Sequence, residues 1–114
     1  MWSIEAVSFE GFQPQPSLIA SLEEFIKDLQ QVAPFHSGFS AVVKKEEGEI
    51  YEIHLRLECG HYAIEETAKS TKLFEVLYFV FQSVYGQIIE QENTKVQALN
   101  TKDLGLPKGR YKVS

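Results

Sequence analysis

A thiol and an imidazole stand two residues apart in Cys59-Gly60-His61, and a second imidazole lies upstream at His54. Nucleophilic catalysis needs a base within hydrogen-bond reach of the nucleophile and a third group that orients the base. No Asn or Asp lies nearby to serve as that third group. A tight turn between strands also splays the side chains it joins, so Cys59 is read as a turn cysteine and His61 as a surface histidine. Cys59, His61 and His54 lack the second Cys-x-x-Cys or His-x-x-x-His pair of a zinc pattern. Carboxylates crowd at Glu46, Glu47 and Glu49, and again at Glu65 and Glu66. General acid–base work needs one carboxyl in a pocket with its pKa raised, whereas a hairpin tip and a strand end leave carboxylates solvated. No glycine-rich phosphate loop, Ser-His-Asp set or Walker lysine occurs. The expectation is a non-enzyme with no catalytic residue, no metal ligand and no cofactor.

Aromatic and cationic residues remain. The stretch from Leu73 to Ile89 holds five of the thirteen Phe and Tyr residues. At roughly 100° per residue, Leu73, Leu77, Val80, Val84 and Ile88 share a narrow stripe. Val76, Phe81, Phe74, Tyr85 and Tyr78 widen it, and Phe79 lies further round. One buried face requires only about 100°, so this helix is expected to bury two. Core packing accounts for Leu77, Val80 and Val84, but not for Phe74, Tyr78, Phe79 and Tyr85 together. Those four are candidate interface residues for a second copy or another partner, since aromatics are enriched at interface centres. The competing readings are cover by Val96, Leu99, Leu104 and Leu106 of the C-terminal segment, or stacking on RNA bases.

The elements that must position these residues follow from punctuation and period. Trp2 to Phe12 reads as a strand, ended by Gly11 and by Gln13-Pro14-Gln15-Pro16. Ser17 reads as an N-cap, with Ser21 and Glu24 as a second capping pair one turn later. Leu18, Leu22, Phe25, Ile26, Leu29 and Val32 then recur at helical spacing until Pro34. Gly38 to Lys45 is a strand on Phe39, Ala41 and Val43, and Glu46-Glu47-Gly48 turns the chain. From Glu49 to Glu58, Tyr51, Ile53, Leu55 and Leu57 alternate with Glu52, His54, Arg56 and Glu58, the period of a sheet with one buried face. His61 to Glu66 is the last strand, and Ser70 or Thr71 is the expected cap of the aromatic helix. The order β-α-β-β-β-α predicts an α+β, two-layer sandwich: a four-stranded sheet with both helices on one face. Its predicted core is Leu22, Phe25, Ile26, Leu29, Ile53, Leu55, Leu57, Leu77, Val80 and Val84.

At 114 residues, 44% hydrophobic and 24% charged, the chain fits one soluble domain. Residues 1–92 are read as that domain and residues 93–114 as a basic, mobile C-terminal tail. No apolar run reaches the roughly 18 residues of a membrane span, and no secretory leader is visible. One cysteine makes no internal disulfide, which suits a reducing compartment, so a cytoplasmic protein is expected. The net charge of −5 is uneven: through Glu92 six Lys/Arg face fifteen Asp/Glu, giving −9. From Asn93 onward five cations face Asp103 alone, giving +4. An acidic body repels phosphate backbones. The basic segment can bind nucleic acid, fold back on the acidic body, or act only as a solubilising end.

Several residues resemble the ribosome hibernation-promoting factor family, small bacterial proteins of β-α-β-β-β-α fold. They are Leu18, Leu22, Ile26 and Leu29, then Ser40-Ala41-Val42-Val43. Glu52-Ile53-His54-Leu55-Arg56-Leu57 follows, with Gly60 and Ala63, and then Leu73-Phe74, Val76-Leu77, Val80, Val84, Gln87 and Ile88. The likeness spans roughly residues 2 to 90, mostly at scaffold positions. It implies a ribosome- or RNA-associated regulator of translation, bound to the small ribosomal subunit through basic residues of helices and sheet. Where the family is often basic, this chain has Phe25, Ser83 and Gly86; where it is acidic, Lys72 and Tyr78. The apolar frame is kept and the phosphate-binding charges are replaced. The candidate nucleic-acid contacts are Lys69, Lys72, Lys108, Arg110 and Lys112. The alternative is a diverged protein–protein interaction module of the same fold, homodimeric through the aromatic second helix.

Overall fold

The structure, a computed structural model, describes residues 2–104, and their side chains as far as residue 93. A 3-10 turn over Ile4–Ala6 leads into β1 (Val7–Glu10), followed by α1 (Pro16–Val32). Next come β2 (Gly38–Glu46), β3 (Ile50–Glu58), β4 (Ala63–Ser70) and α2 (Leu73–Leu104). The sheet order is β1-β2-β3-β4, with β1 parallel to β2 and the later pairs antiparallel. A parallel pair needs a crossover, and α1 supplies it.

Register assigns the two faces. Val7 lies beside Ala41, Ala41 opposite Leu55, Val43 opposite Ile53, and Leu57 between Phe39 and Ile64. All of these except Phe39 are buried, and they join Leu18, Leu22, Ile26 and Leu29 of α1 and Val76, Leu77, Val80, Phe81, Val84 and Ile88 of α2 in one core. The opposite face carries Lys44, Glu52, His54, Arg56, Glu65, Thr67 and Lys69 and meets solvent. The two-layer α+β sandwich is therefore as the sequence predicts. Every predicted core residue is buried except Phe25, which is half-buried at the edge of the helical layer.

The departures have local causes. The predicted strand over Trp2–Phe12 shrinks to Val7–Glu10 because Trp2 and Ile4 turn inward instead of extending the sheet. Trp2 stacks on Phe39 at 5.1 Å between ring centroids, and its indole N–H donates to the Ser37 carbonyl at 3.0 Å. Helix α1 starts one residue before the predicted cap: Pro16 occupies the first turn, Gln15 is the N-cap, and no side chain caps the end. Proline suits that position, since its fixed φ is helical and its missing N–H would be unpaired anyway. Strand β4 runs on to Ser70 because β3 offers partners as far as Tyr51. Neither Ser70 nor Thr71 caps α2; the Ser70 hydroxyl accepts from the Lys72 N–H, and the helix opens with the Val76 N–H donating to the Lys72 carbonyl. Helical backbone continues past Glu92 to Leu104, into the segment read as tail. Residues 105–114, with Lys108, Arg110 and Lys112, lie outside the described residues.

Candidate functional site

The β3–β4 turn disposes of the thiol–imidazole pair. Cys59 sits in the turn as its reading has it, but at 7% exposed its side chain belongs to the core, while His61 faces solvent. The turn closes with the Cys59 N–H donating to the Tyr62 carbonyl at 2.9 Å, and Gly60 takes φ +81°. From this turn the Tyr62 hydroxyl donates to Glu92 Oε2 of α2 at 2.6 Å. Burial first, and then that bond, push the Tyr62 phenol far above its ordinary range. Among the described residues no three His, Cys, Asp or Glu side chains converge on a metal-sized site.

Glu46, Glu49 and Glu65 each lie beside a cation. Glu46 accepts from Lys69 at 3.3 Å and lies 4.0 Å from Lys44, and Glu49 lies 3.9 Å from Lys45. Arg56 is held by Glu58 and Glu65, which raise its pKa, Glu58 the more strongly. Glu66 points to the other layer, where it accepts from Ser83 Oγ at 3.0 Å and Gln87 Nε2 at 2.9 Å. Adjacent Glu65 and Glu66 therefore lie on opposite faces of the sheet and share no site.

The same pairs occupy the candidate cations. Lys69 sits on the open sheet face against Glu46, and Lys72 precedes α2 with Glu75 at 3.8 Å. A phosphate approaching either lysine competes with a carboxylate already in place.

The aromatic candidates are exposed: Phe74 by 50%, Tyr78 by 58%, Phe79 by 56% and Tyr85 by 36%. Helical spacing puts Phe74, Tyr78, Tyr85 and the exposed Ile89 on one strip beside buried Phe81. Phe79 falls on the other flank, about 100° round from Tyr78. The strip continues onto α1 through Phe25, whose ring stacks on Phe81 at 5.1 Å and meets Tyr78 at 6.2 Å. Between the helices opens a cleft of about 410 Å³, walled by Phe25, Leu29, Phe81 and Tyr85 and rimmed by Asp28, Gln31 and Gln82. A smaller cleft of about 260 Å³ at the far end lies beside Phe74, Leu73, Tyr51 and Phe12. Sequence reasoning missed Phe35, 88% exposed on the loop after α1 beside His36 at φ +71°. The Phe35-His36 pair has no period to mark it. The rim residues Asp28 and Gln31 were legible only as the polar side of an amphipathic helix.

A ribosomal subunit interface protein from Coxiella burnetii superposes with a TM-score of 0.57 at 12% identity, covering 76% of this chain and 97% of that one. The N-terminal domain of Protein Y from Thermus thermophilus gives 0.62 at 7% identity, covering 72% and 91%. The chain has the fold that the sequence resemblance implied. No protein-family model and no curated protein sequence matches it.

Proposed function

We propose that this protein is a non-enzymatic, ribosome-associated regulator of translation acting in the cytoplasm, with the small ribosomal subunit or its RNA as partner. The observation that carries this reading is the shared fold with the Thermus Protein Y domain, over 91% of that domain. Because Lys69 and Lys72 are already paired, the reading places phosphate contact on Lys108, Arg110 and Lys112. Co-sedimentation of the purified protein with small ribosomal subunits at low and moderate salt tests it. Binding that falls with salt and with removal of residues 93–114 is the expected result, as for any phosphate-dependent association. No binding at low salt refutes it.

Exposure of Phe74, Tyr78, Phe79 and Tyr85 favours a second reading, a diverged interaction module that homodimerises through α2. Sedimentation equilibrium decides it. A dimer that persists at high salt and dissociates on Tyr78→Ala supports the module, because an apolar interface is little affected by screening.

A further inference from the structure

The cleft between the helices has a chemistry of its own. Phe25, Leu29, Phe81 and Tyr85 wall it, Asp28, Gln31 and Gln82 stand at its rim, and the larger part of the lining that water reaches is polar. Glu24 lies one turn before Asp28 on the same flank of α1. No ion pair among the described residues involves either carboxylate. Among the described side chains every Lys or Arg except Lys27, which neighbours Asp28 in sequence, lies within 4.0 Å of a carboxylate, whereas Asp28 at the rim of the cleft has no cation that close. The exposed strip of Phe74, Tyr78 and Ile89 extends the apolar surface along α2.

From this arrangement we infer that the α1–α2 cleft is a docking site for a Lys/Arg-rich protein segment carrying apolar anchors. Aliphatic or aromatic side chains of the segment enter between Phe25 and Tyr85, and its cations meet Asp28 and Glu24. Charge complementarity selects this occupant. A nucleic acid would bring phosphates to the two unpaired carboxylates, and a second copy would bring the same two carboxylates on its own α1. The inference rests on the ribosome-associated reading and deepens it: the body of the molecule touches basic protein, and phosphate contact is left to other residues.

The test uses the full chain and a short fluorescein-labelled peptide of lysines with Leu and Phe at helical spacing. A control peptide carries Ser in place of every Leu and Phe. Fluorescence anisotropy is expected to show the apolar-anchored peptide binding at least about tenfold tighter than the control, with the loss of about tenfold expected for a lost interface anchor on Tyr85→Ala. Asp28→Lys, an exposed change that leaves the core untouched, is expected to weaken binding while leaving the circular dichroism spectrum unchanged. Equal binding of the two peptides overturns the proposal, because charge alone would then explain it. Binding untouched by both variants overturns it as well. So does displacement of the peptide by a single-stranded RNA oligonucleotide, or a dimer whose dissociation is required before the peptide binds. No binding by the full chain also overturns it, as it would if the chain's own residues 93–114 filled the cleft. Ribosomes are absent from the assay, so its failure and a failure to co-sediment with ribosomal subunits are separate results.

Discussion

At Gly11 the backbone has φ +86°, and a Cβ there would lie 2.4 Å from the Lys45 carbonyl oxygen. Gly11→Ala combines left-handed strain with a collision against backbone that cannot rotate away. The expected loss is about 1–3 kcal/mol or more, read from the urea unfolding midpoint. Gly86 is the opposite case: it lies within α2 at ordinary helical φ with open space where a Cβ would go. Gly86→Ala is expected to stabilise by about 0.5–1 kcal/mol in the same experiment. Tyr62 gives a pH dependence. Burial and the Glu92 bond raise its pKa in the folded state, so folding favours the protonated phenol. That contribution is whole below the unfolded value of about 10 and is lost as pH rises beyond it. Thermal unfolding at about pH 8 and about pH 11 should show the wild type losing more stability than Tyr62→Phe.

At the scale of elements, α2 divides its aromatic residues by face. Phe81 is 2% exposed and stacks on Phe25, whereas Tyr78 and Tyr85 keep much of their surface in water. Phe81→Ala is expected to cost about 3–5 kcal/mol. Tyr85→Ala should stay within about 0.5 kcal/mol, as surface substitutions do. Comparable losses at both positions would mean that the strip is core. This division was legible in the sequence, since Leu77, Val80 and Val84 mark the stripe that must face the sheet and a single buried face cannot hold every remaining aromatic. The clean alternation of Tyr51, Ile53, Leu55 and Leu57 fixed β3 in the same way. What the period could not show was the fate of residues whose partners are distant in sequence. Trp2 leaves the sheet for Phe39, Cys59 turns into the core, and Glu66 meets Ser83 and Gln87. The cleft was legible only by halves: Phe25 and Tyr85 are visible on separate helices, and the packing of α1 on α2 brings them together.

For the whole molecule, the relevant quantity is how charge is distributed over the two layers. Lys44, Arg56 and Lys69 of the open sheet face each sit beside a carboxylate, and Lys45 and Lys72 do so at the ends of elements. Lys69→Gln with Lys72→Gln is expected to change retention on small ribosomal subunits by less than about twofold, since the proposed phosphate contact lies on Lys108, Arg110 and Lys112. A larger drop in co-sedimentation would return the contact to the body.

The ladder of paired ions across β2, β3 and β4 also sets what an approaching molecule experiences before contact. Each cation with its carboxylate is, from a distance, a small dipole, and the field of a dipole falls away faster than that of a bare charge. The positive ends therefore vanish within about a screening length, some 8 Å at physiological salt, and what projects outward is the uncompensated negative charge of the body. A polyanion diffusing toward the sheet is slowed before it can find a lysine, and a polycation approaching the same face is drawn in.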